Sequence, residues 1–209
     1  VINISTIDTF EKDFVQAGYT FGSFNLKQAN VLAGFQQKNT TYILQGNYTE
    51  TDGYRDQSGF LNYNFNGKVK HQFSETSQLT FNLNYTDSPV AKDAGGLTLE
   101  ETEADRRQAR QRNVDFQTEE AIQQFKLGLA FDSEVSENLD FNTYGFYSYR
   151  NFYGVLPFEN GGIVDLGRDY FGQGSSLTFN RDFPEFRFGE TKGLDLKVQL
   201  GYDIAFQRD

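Results

Sequence analysis

Residues 60–87 contain two consecutive runs in which apolar and polar side chains alternate, separated only by residues 74–77. Successive side chains of a β-strand point to opposite faces, so each run predicts a strand with one apolar and one polar face. Long, aromatic strands of this kind are typical of strands that contact lipid on one side and water on the other. The apolar positions are Leu61, Tyr63, Phe65, Val69 and Phe73 in the first run and Leu79, Phe81, Leu83 and Tyr85 in the second.

The composition of the 209 residues supports a strand-rich structure that crosses a membrane. The chain contains 22 Phe and 12 Tyr but only 3 Pro, and aromatic residues favour strands. No stretch of about 18 apolar residues occurs, which excludes a transmembrane helix. A closed barrel is the other structure that can cross a bilayer, because it pairs every backbone group internally. The mean hydropathy of −0.61 is compatible with a barrel, since only alternate residues need to be apolar.

Cysteine content and net charge exclude several classes of protein. The absence of Cys excludes disulfides and thiolate metal sites. A net charge of −10 argues against a general nucleic-acid-binding protein, which needs a positive surface, and is compatible with a secreted or outer-membrane protein. The first residues lack the basic start and apolar core of a signal peptide, so we expect an internal part of a longer protein.

The same alternation recurs along the chain and predicts nine strands between residues 15 and 206. From Phe73 onward, the connections alternate between short turns and long polar stretches, with long stretches at 88–120 and 151–169 and a medium connection before the last strand. Tight turns at one end and larger loops at the other are typical of up-and-down transmembrane barrels. An odd number of strands and an unpaired last strand predict part of a larger all-β, antiparallel barrel, because open sheet edges are not tolerated in lipid.

Several segments, in order along essentially the whole chain, resemble the TonB-dependent outer-membrane receptors, in particular the siderophore and ferric-citrate type. The first resembles the end of a plug domain, the second a first barrel strand and its turn, and the remainder the second, third and fourth external loops. These segments are VINIST (1–6), AGYTFGSF (17–24), DGYRDQSG (52–59), SPVAKDAGGLTLEE (88–101) with ADRRQARQRN (104–113), and LPFENGGIVDLGRDYFG (156–172).

The resemblance implies a barrel of about 22 strands that encloses an N-terminal plug. Residues 1–8 would be the end of the plug and its link to the barrel, and residues 9–209 the N-terminal part of the barrel. It also implies a receptor in the bacterial outer membrane that imports ferric chelates with energy supplied through TonB, which contacts a plug segment that this chain lacks. The implied partners are therefore a ferric chelate, outer-membrane lipid and TonB. No cofactor, nucleic-acid partner or enzymatic activity is expected.

Four arginines are the candidate ligand-binding residues: Arg106, Arg107, Arg110 and Arg112. Guanidinium groups form paired hydrogen bonds with carboxylates and therefore suit carboxylate-rich chelates. An alternative interpretation, which we favour, is a self-neutralised surface helix over residues 99–112. Thr98 and Glu101 have capping-box spacing, Glu103 and Arg107 are spaced as an i,i+4 pair, and nearby carboxylates balance the arginines.

Other chemistry-bearing residues give no catalytic or metal site. His71 is the only histidine, and we interpret it as an interfacial residue near the barrel rim, because a metal site needs several ligands. We interpret Asp93, Asp165 and Asp169 as solvated loop residues, since nothing sets the separation that glycosidase carboxylates require. Ser175 and Ser176 lack an activating histidine. The glycines match no phosphate-binding pattern and are expected in turns and close strand contacts: Gly161, Gly162, Gly172 and Gly174.

Aromatic residues near strand ends predict the two interfacial girdles of a membrane barrel, namely Phe73, Tyr85, Phe131 and Tyr149. The rival prediction is a soluble or surface-attached β-sandwich that acts as an adhesin or a carbohydrate-binding module. That fold requires the apolar stripes to face each other across a core, with aromatic cross-strand pairs.

Overall fold

A computed structural model of the chain describes residues 7–160, 162–188 and 191–209. It contains one antiparallel sheet of nine strands, in which sequence order equals spatial order, and two short helices. No helix of this described part is long and apolar enough to cross a membrane. The predicted strand VINIST (1–6) lies outside the described residues. The strands are β1 (Phe14–Gly22), β2 (Leu26–Gln37), β3 (Thr40–Thr51), β4 (Phe60–Ser74), β5 (Ser77–Lys92), β6 (Glu119–Ser136), β7 (Leu139–Val155), β8 (Ile163–Phe188) and β9 (Thr191–Arg208), and the helices are α1 (Leu99–Ala104) and α2 (Gln111–Asp115).

The strand register places the alternating apolar residues of neighbouring strands opposite one another. Val69 of β4 lies opposite Phe81 of β5, and Phe81 lies opposite Leu129 of β6. Because the period of a strand is two, this register extends one apolar face across the whole sheet. At the far edge, Leu177 of β8 lies opposite Leu200 of β9, which continues the same face. We call this face the convex face, because the opposite face encloses a cavity.

Most of the large side chains of the convex face are exposed rather than packed in a core. On inner strands of the sheet, Phe73 is 59% exposed, Leu129 is 50% exposed and Leu177 is 45% exposed. Among the described residues, Ala33 and Ala94 are the only buried hydrophobic residues. A β-sandwich would bury these stripes against a second sheet, and all nine strands belong to a single sheet. The predicted all-β meander with an outer apolar belt is therefore confirmed, and the sandwich prediction is wrong.

The concave face is predominantly polar and encloses a cavity of about 1120 Å³ that spans β2 to β9. Asn66, Asn84, Gln124 and Lys126 are among its lining residues. The chain before β1 also contributes to this cavity, through Ile7. The sheet thus has the wet interior and apolar exterior that are typical of a transmembrane barrel wall.

The N-terminal segment is tied to the concave side of β4 by ion pairs. The Asp8 carboxylate lies 3.2 Å from Lys68 Nζ and 3.1 Å from Lys70 Nζ. The hydrogen bond from Lys70, together with that from Lys68, lowers the pKa of Asp8 against the opposing effect of partial burial. Residues 7 and 8 are thereby held against the barrel wall.

Tyr144 and Phe146 are aromatic residues at positions of β7 where the alternation would place polar residues. Their rings pack over glycines of β8 on the concave face. Tyr144 lies opposite Gly174, and Phe146 lies opposite Gly172. A Cβ atom added to Gly172 would lie 2.4 Å from the Phe146 ring, so the close approach requires glycine. The expected role in close strand contacts is confirmed for Gly172 and Gly174, and Gly161 lies outside the described residues.

Aromatic residues of the convex face form a row at each end of the strands. At the end with short turns, the Phe131 ring lies 6.5 Å from Phe73 and 6.5 Å from Phe141. Towards the other end, Phe125 lies opposite both Tyr85 and Tyr149. The four predicted girdle residues therefore occupy two separate levels of the apolar face.

Strand ends depart from the sequence prediction more than strand centres do. The expected long stretch 151–169 is wrong, because Val155 pairs with Ile163 and only residues 156–162 connect β7 to β8. The stretch 88–120 shortens to 93–118, and the medium connection after residue 179 is strand, since β8 continues to Phe188. These strand ends lack strict alternation, but backbone pairing needs no apolar pattern where neither face has to meet lipid.

Candidate ligand-recognition site

The longer connections of the sheet lie together at one end. They are residues 23–25, 52–59, 93–118 and 156–162, whereas residues 38–39, 75–76 and 137–138 form two-residue turns at the opposite end. Binding residues of a rigid scaffold are disproportionately found on its loops. This long-loop end is therefore the candidate recognition surface.

The β1–β2 turn presents an aromatic ring in a strained backbone conformation. Phe24 and Asn25 have φ angles of 59° and 56°, the left-handed pair of a type I′ turn. The Phe24 carbonyl accepts hydrogen bonds from Asp52 N at 2.9 Å and Thr51 Oγ1 at 3.0 Å. The Tyr54 ring packs edge-on against the Phe24 ring at 5.4 Å. Contacts with the 52–59 loop therefore hold a conformation that a phenylalanine rarely adopts.

Arg55 binds the 52–59 loop to the 93–118 loop through backbone carbonyls. Its Nε donates to Gln108 O at 2.9 Å, Nη1 to Gly95 O at 2.7 Å and Nη2 to Ala94 O at 3.1 Å. A planar guanidinium with several donors can satisfy three carbonyls at once, which a lysine cannot do with the same geometry. Arg55 thus fixes both ends of the segment that contains α1.

A polar cluster forms the buried centre of the 93–118 loop. Asn113 and Thr118 are 2% and 1% exposed, the lowest values for large side chains in the described residues. Asn113 Nδ2 donates to Asp93 Oδ2 and to Thr118 Oγ1, both at 3.0 Å, and Thr118 Oγ1 donates to Asp93 O at 2.8 Å. Asp93 Oδ1 accepts from Gly95 N at 2.8 Å, and Gly95 has a φ of +67°. Asp93 is an exposed loop residue, as interpreted from sequence, and it also organises the loop through these hydrogen bonds.

The predicted capping box is present, but the predicted helix is shorter. Thr98 N donates to Glu101 Oε2 at 2.7 Å, and Glu101 N donates to Thr98 Oγ1 at 3.2 Å. The backbone N–H of Thr98 is the main cause that lowers the pKa of Glu101. The helix ends at Ala104 because Asp105 is extended and its carboxylate accepts from Arg107 N instead. The predicted helix over 99–112 is therefore two short helices separated by residues 105–110.

The four candidate arginines are all exposed on this loop. Two of them contact aromatic rings that belong to different connections of the sheet. Arg107 lies over the Phe24 ring, 5.5 Å from its centroid. Arg112 lies 5.9 Å from the Phe116 centroid and 6.0 Å from that of Phe158, in the β7–β8 connection. The β1–β2 turn and the β7–β8 connection are separated by β3 to β6, so these contacts direct the two guanidinium groups apart.

The carboxylates expected to balance these arginines form no contact ion pairs with them in the described ranges, although, besides the hydrogen bonds from Thr98, the charge of Arg110 helps to lower the pKa of Glu101. Within the described ranges, no carboxylate lies within 4.0 Å of a side-chain nitrogen of the four arginines. Glu103 and Arg107 lose their i,i+4 relation, because Arg107 lies beyond the end of α1.

The other chemistry-bearing residues lie away from this surface or have structural partners. His71 Nδ1 is 2.8 Å from Thr40 Oγ1, near the end with short turns. Asp165 and Asp169, expected in a loop, belong to β8, and Asp169 accepts a hydrogen bond from the Tyr147 hydroxyl at 2.6 Å. No group of three or more potential metal ligands occurs in the portion of the chain that the structure describes.

The residues that organise the loop are the ones that sequence reasoning missed. Arg55 was part of a polar loop segment, and its partners are backbone carbonyls about forty positions away. Asn113 and Thr118 stand in a polar stretch, where buried side chains are not expected. The glycine pair 95–96 is the sequence feature that could have indicated an ordered loop here. Gly95 has a positive φ, and glycine is the usual residue where the backbone adopts such a conformation.

Two solved structures share the fold of this chain. The unliganded ferric citrate transporter FecA superposes with a TM-score of 0.72 at 21% identity over 97% of this chain and 30% of the transporter. The open form of the ferric-catecholate import receptor Fiu from E. coli K12 superposes with a TM-score of 0.66 at 12% identity over 97% of this chain and 35% of the receptor. No protein-family model matches the sequence, and a search of curated proteins gives no match. The chain has the fold of about one third of a chelate transporter of this kind.

Proposed function

We propose that this chain forms nine strands of an outer-membrane barrel that binds a ferric chelate at its long-loop end and imports it with energy supplied through TonB. Residues 9–209 form barrel wall and loops, and residues 1–8 are the end of a plug domain. Lipid of the bacterial outer membrane surrounds the convex face. No covalent chemistry takes part in this function.

The observation that supports the membrane location is the inverted distribution of polarity. One continuous face exposes Phe73 (59%), Leu129 (50%) and Leu177 (45%) on inner strands of the sheet, while the concave face is rich in Asn, Gln and Lys. Exposed apolar surface of this extent is unfavourable in water and favourable in hydrocarbon. The shared fold with FecA and Fiu supports the same interpretation.

The observation that supports anionic chelate recognition is a rigid loop with exposed cations. Arg55 and the Asp93–Asn113–Thr118 cluster hold residues 93–118 in place. Exposed arginines extend from this loop, and no described carboxylate lies within 4.0 Å of their side-chain nitrogens: Arg106, Arg107, Arg110 and Arg112. Preorganised guanidinium groups lose little conformational freedom when they bind a carboxylate or catecholate oxygen.

Replacement of the four arginines tests the ligand site. In the full-length natural protein, Arg106→Gln, Arg107→Gln, Arg110→Gln and Arg112→Gln together are expected to weaken ferric-chelate binding at least about tenfold, since each charge-assisted bond is of the order of 1.5–3 kcal/mol. Binding is measured with ferric chelate that carries radiolabelled iron, added to outer-membrane vesicles. Lys38→Gln, at the opposite end of the sheet, is the control. Unchanged affinity in the fourfold variant contradicts the proposed site.

The membrane location has an independent test. The full-length protein is expected to fractionate with the outer membrane and to require detergent for extraction in a folded, monodisperse form. A protein that remains folded and monodisperse in detergent-free buffer contradicts the barrel proposal, because its convex face would then be stable in water.

A further inference from the structure

Phe24 occupies a backbone position that is normally left to asparagine, aspartate or glycine. The β1–β2 turn is closed by Leu26 N, which donates to Ser23 O at 3.3 Å, so Phe24 and Asn25 are its two central residues. Their φ angles of 59° and 56° are both positive, which a large aromatic side chain makes less favourable than an asparagine does. We therefore expect the ring of Phe24 to provide a contact that asparagine cannot provide.

The ring of Phe24 makes two contacts with other connections of the sheet. The Tyr54 ring lies 5.4 Å from it, edge-on, and the Arg107 guanidinium lies 5.5 Å from its centroid. The contact with Tyr54 joins two connections that hydrogen bonds to the Phe24 carbonyl already join. The contact with Arg107 joins the turn to a third connection, the long loop after β5. Arg107 is therefore the partner for which the ring itself is needed.

Hydrogen bonds fix the backbone of Arg107 but not its side chain. Arg107 O accepts from Asp56 N at 2.7 Å, and Arg107 N donates to Asp105 Oδ1 at 2.8 Å. The side chain extends from this fixed point into an exposed environment, where a long arginine side chain has many rotamers. The attraction between the guanidinium and the face of the Phe24 ring favours the rotamers that place the cation over the ring.

This contact leaves the guanidinium able to bind a ligand. The face of an aromatic ring attracts the positive charge of an arginine, whereas a carboxylate accepts hydrogen bonds from its N–H groups. The two interactions use different properties of the same group. Arg107 can therefore be held by Phe24 and can donate to an anionic oxygen at the same time.

We propose that Phe24 is a positioning residue for Arg107 in the ligand-recognition site. The inference rests on the proposed function, in which Arg107 binds an anionic ferric chelate. The ring raises the fraction of molecules whose guanidinium is already in place, and the apparent affinity for the chelate rises in proportion to that fraction. The unfavourable backbone conformation is retained because the ring contributes to recognition, as is common for strained residues at functional sites.

Substitutions at Phe24 in the full-length protein test the role of the ring. Phe24→Leu keeps an apolar side chain without a ring face and is expected to weaken chelate binding about two- to fivefold, the equivalent of one exposed cation–π contact. Phe24→Tyr keeps the ring and is expected to restore the affinity. Phe73→Leu, the same change near the end with short turns, is the control and should leave binding unchanged.

Binding is measured on outer-membrane vesicles with two probes, radiolabelled ferric citrate and a radiolabelled ferric tris-catecholate. The probe that the unmodified protein binds more tightly is used for all variants. Undiminished affinity of Phe24→Leu, or an equal loss in Phe24→Leu and Phe24→Tyr, overturns the proposal.

A double-mutant cycle separates the positioning of Arg107 from a general role of Phe24 in the turn. If the ring acts through the guanidinium, Phe24→Leu should have no further effect once Arg107→Gln is present. Arg112 is the matched comparison, because its guanidinium also lies near aromatic rings, but those of Phe116 and Phe158. Phe24→Leu and Arg112→Gln should therefore be additive. A loss from Phe24→Leu that is the same with and without Arg107→Gln overturns the positioning role.

Failure of this inference is distinguishable from failure of the proposed function. If Arg107→Gln weakens binding and Phe24→Leu does not, only the positioning role fails. If Arg107→Gln leaves the affinity unchanged, the ligand role of Arg107 fails and this inference fails with it. If the unmodified protein binds neither probe, the proposed chelate recognition fails as well.

Discussion

The sheet and the 93–118 loop bury opposite kinds of side chain. In the sheet, large apolar residues such as Leu200 are exposed, whereas in the loop the two most buried large side chains are the polar Asn113 and Thr118. The contrast follows from the surroundings of each region. In the proposed membrane location, lipid replaces a core for the sheet, so its apolar residues need no second layer. The loop obtains its order from a network of hydrogen bonds instead.

A charge placed on the convex face is expected to have the largest effect. Leu129→Arg should destabilise the lipid-embedded protein by about 2–4 kcal/mol, because the guanidinium would face hydrocarbon near mid-depth. The matched control is Asn82→Arg on the concave face of the adjacent strand, which should change stability little. Urea unfolding in liposomes measures both. Similar losses for the two variants would mean that the faces do not differ in their surroundings.

The buried cluster of the loop should respond to a different kind of change. Asn113→Ala removes the buried side chain that donates to Asp93 Oδ2 and to Thr118 Oγ1, and should destabilise the loop by about 1–3 kcal/mol, because the buried Thr118 hydroxyl loses a partner. Hydrogen exchange should accelerate across residues 93–118 and stay unchanged in the β3–β4 ladder. Gln111→Ala, on the exposed side of α2, is the control. Acceleration that spread equally into the strands would show that loop and sheet are not independent.

Two glycines of the sheet should respond with opposite signs to the same substitution. Gly172→Ala forces a Cβ against the Phe146 ring at 2.4 Å and should cost about 1 kcal/mol or more. Gly46→Ala meets nothing within 4 Å and should stabilise by about 0.5–1 kcal/mol, because glycine is unfavourable in a strand interior. Urea midpoints in liposomes compare the two variants. Equal shifts would contradict the packing of Phe146 over Gly172.

The smallest effect is expected where the N-terminal segment meets the wall. Asp8→Asn removes two partly exposed ion pairs and should cost at most about 1 kcal/mol. Because the pKa of Asp8 is lowered in the folded protein, this contribution is present above the ordinary value of 3.8 and is lost as pH falls through the folded pKa. The wild type and Asp8→Asn should therefore differ at pH 7 and converge in acid. A difference that persisted in acid would exclude the ion pairs as its cause.

Sequence alone predicts the sheet well because each strand position only has to be apolar or polar, and this choice is visible from its neighbours in the sequence. Each of Leu79, Phe81 and Leu83 needs only to be apolar on one face, and a period of two reveals that face without knowledge of the partner strand. The ends of β7 and β8 escaped prediction because residues 151–155 and 163–169 pair through backbone groups that place no demand on side-chain polarity.

The candidate site was predictable in its composition but not in its geometry. The four arginines and the Thr98–Glu101 capping box are visible as a local pattern, and the structure places both in the long loop. The directions of Arg107 and Arg112 depend on Phe24 and Phe158, which come from distant connections. Arg55 acts on carbonyl groups, and a carbonyl leaves no trace in a sequence because every residue has one.

The strictly sequential strand order means that each hairpin depends almost entirely on its two neighbours. A unit of two strands and its turn could therefore be duplicated, lost or exchanged during evolution while the rest of the wall keeps its register. Diversification would then concentrate where consecutive units are joined on the long-loop side, while the wall between them is inherited nearly unchanged.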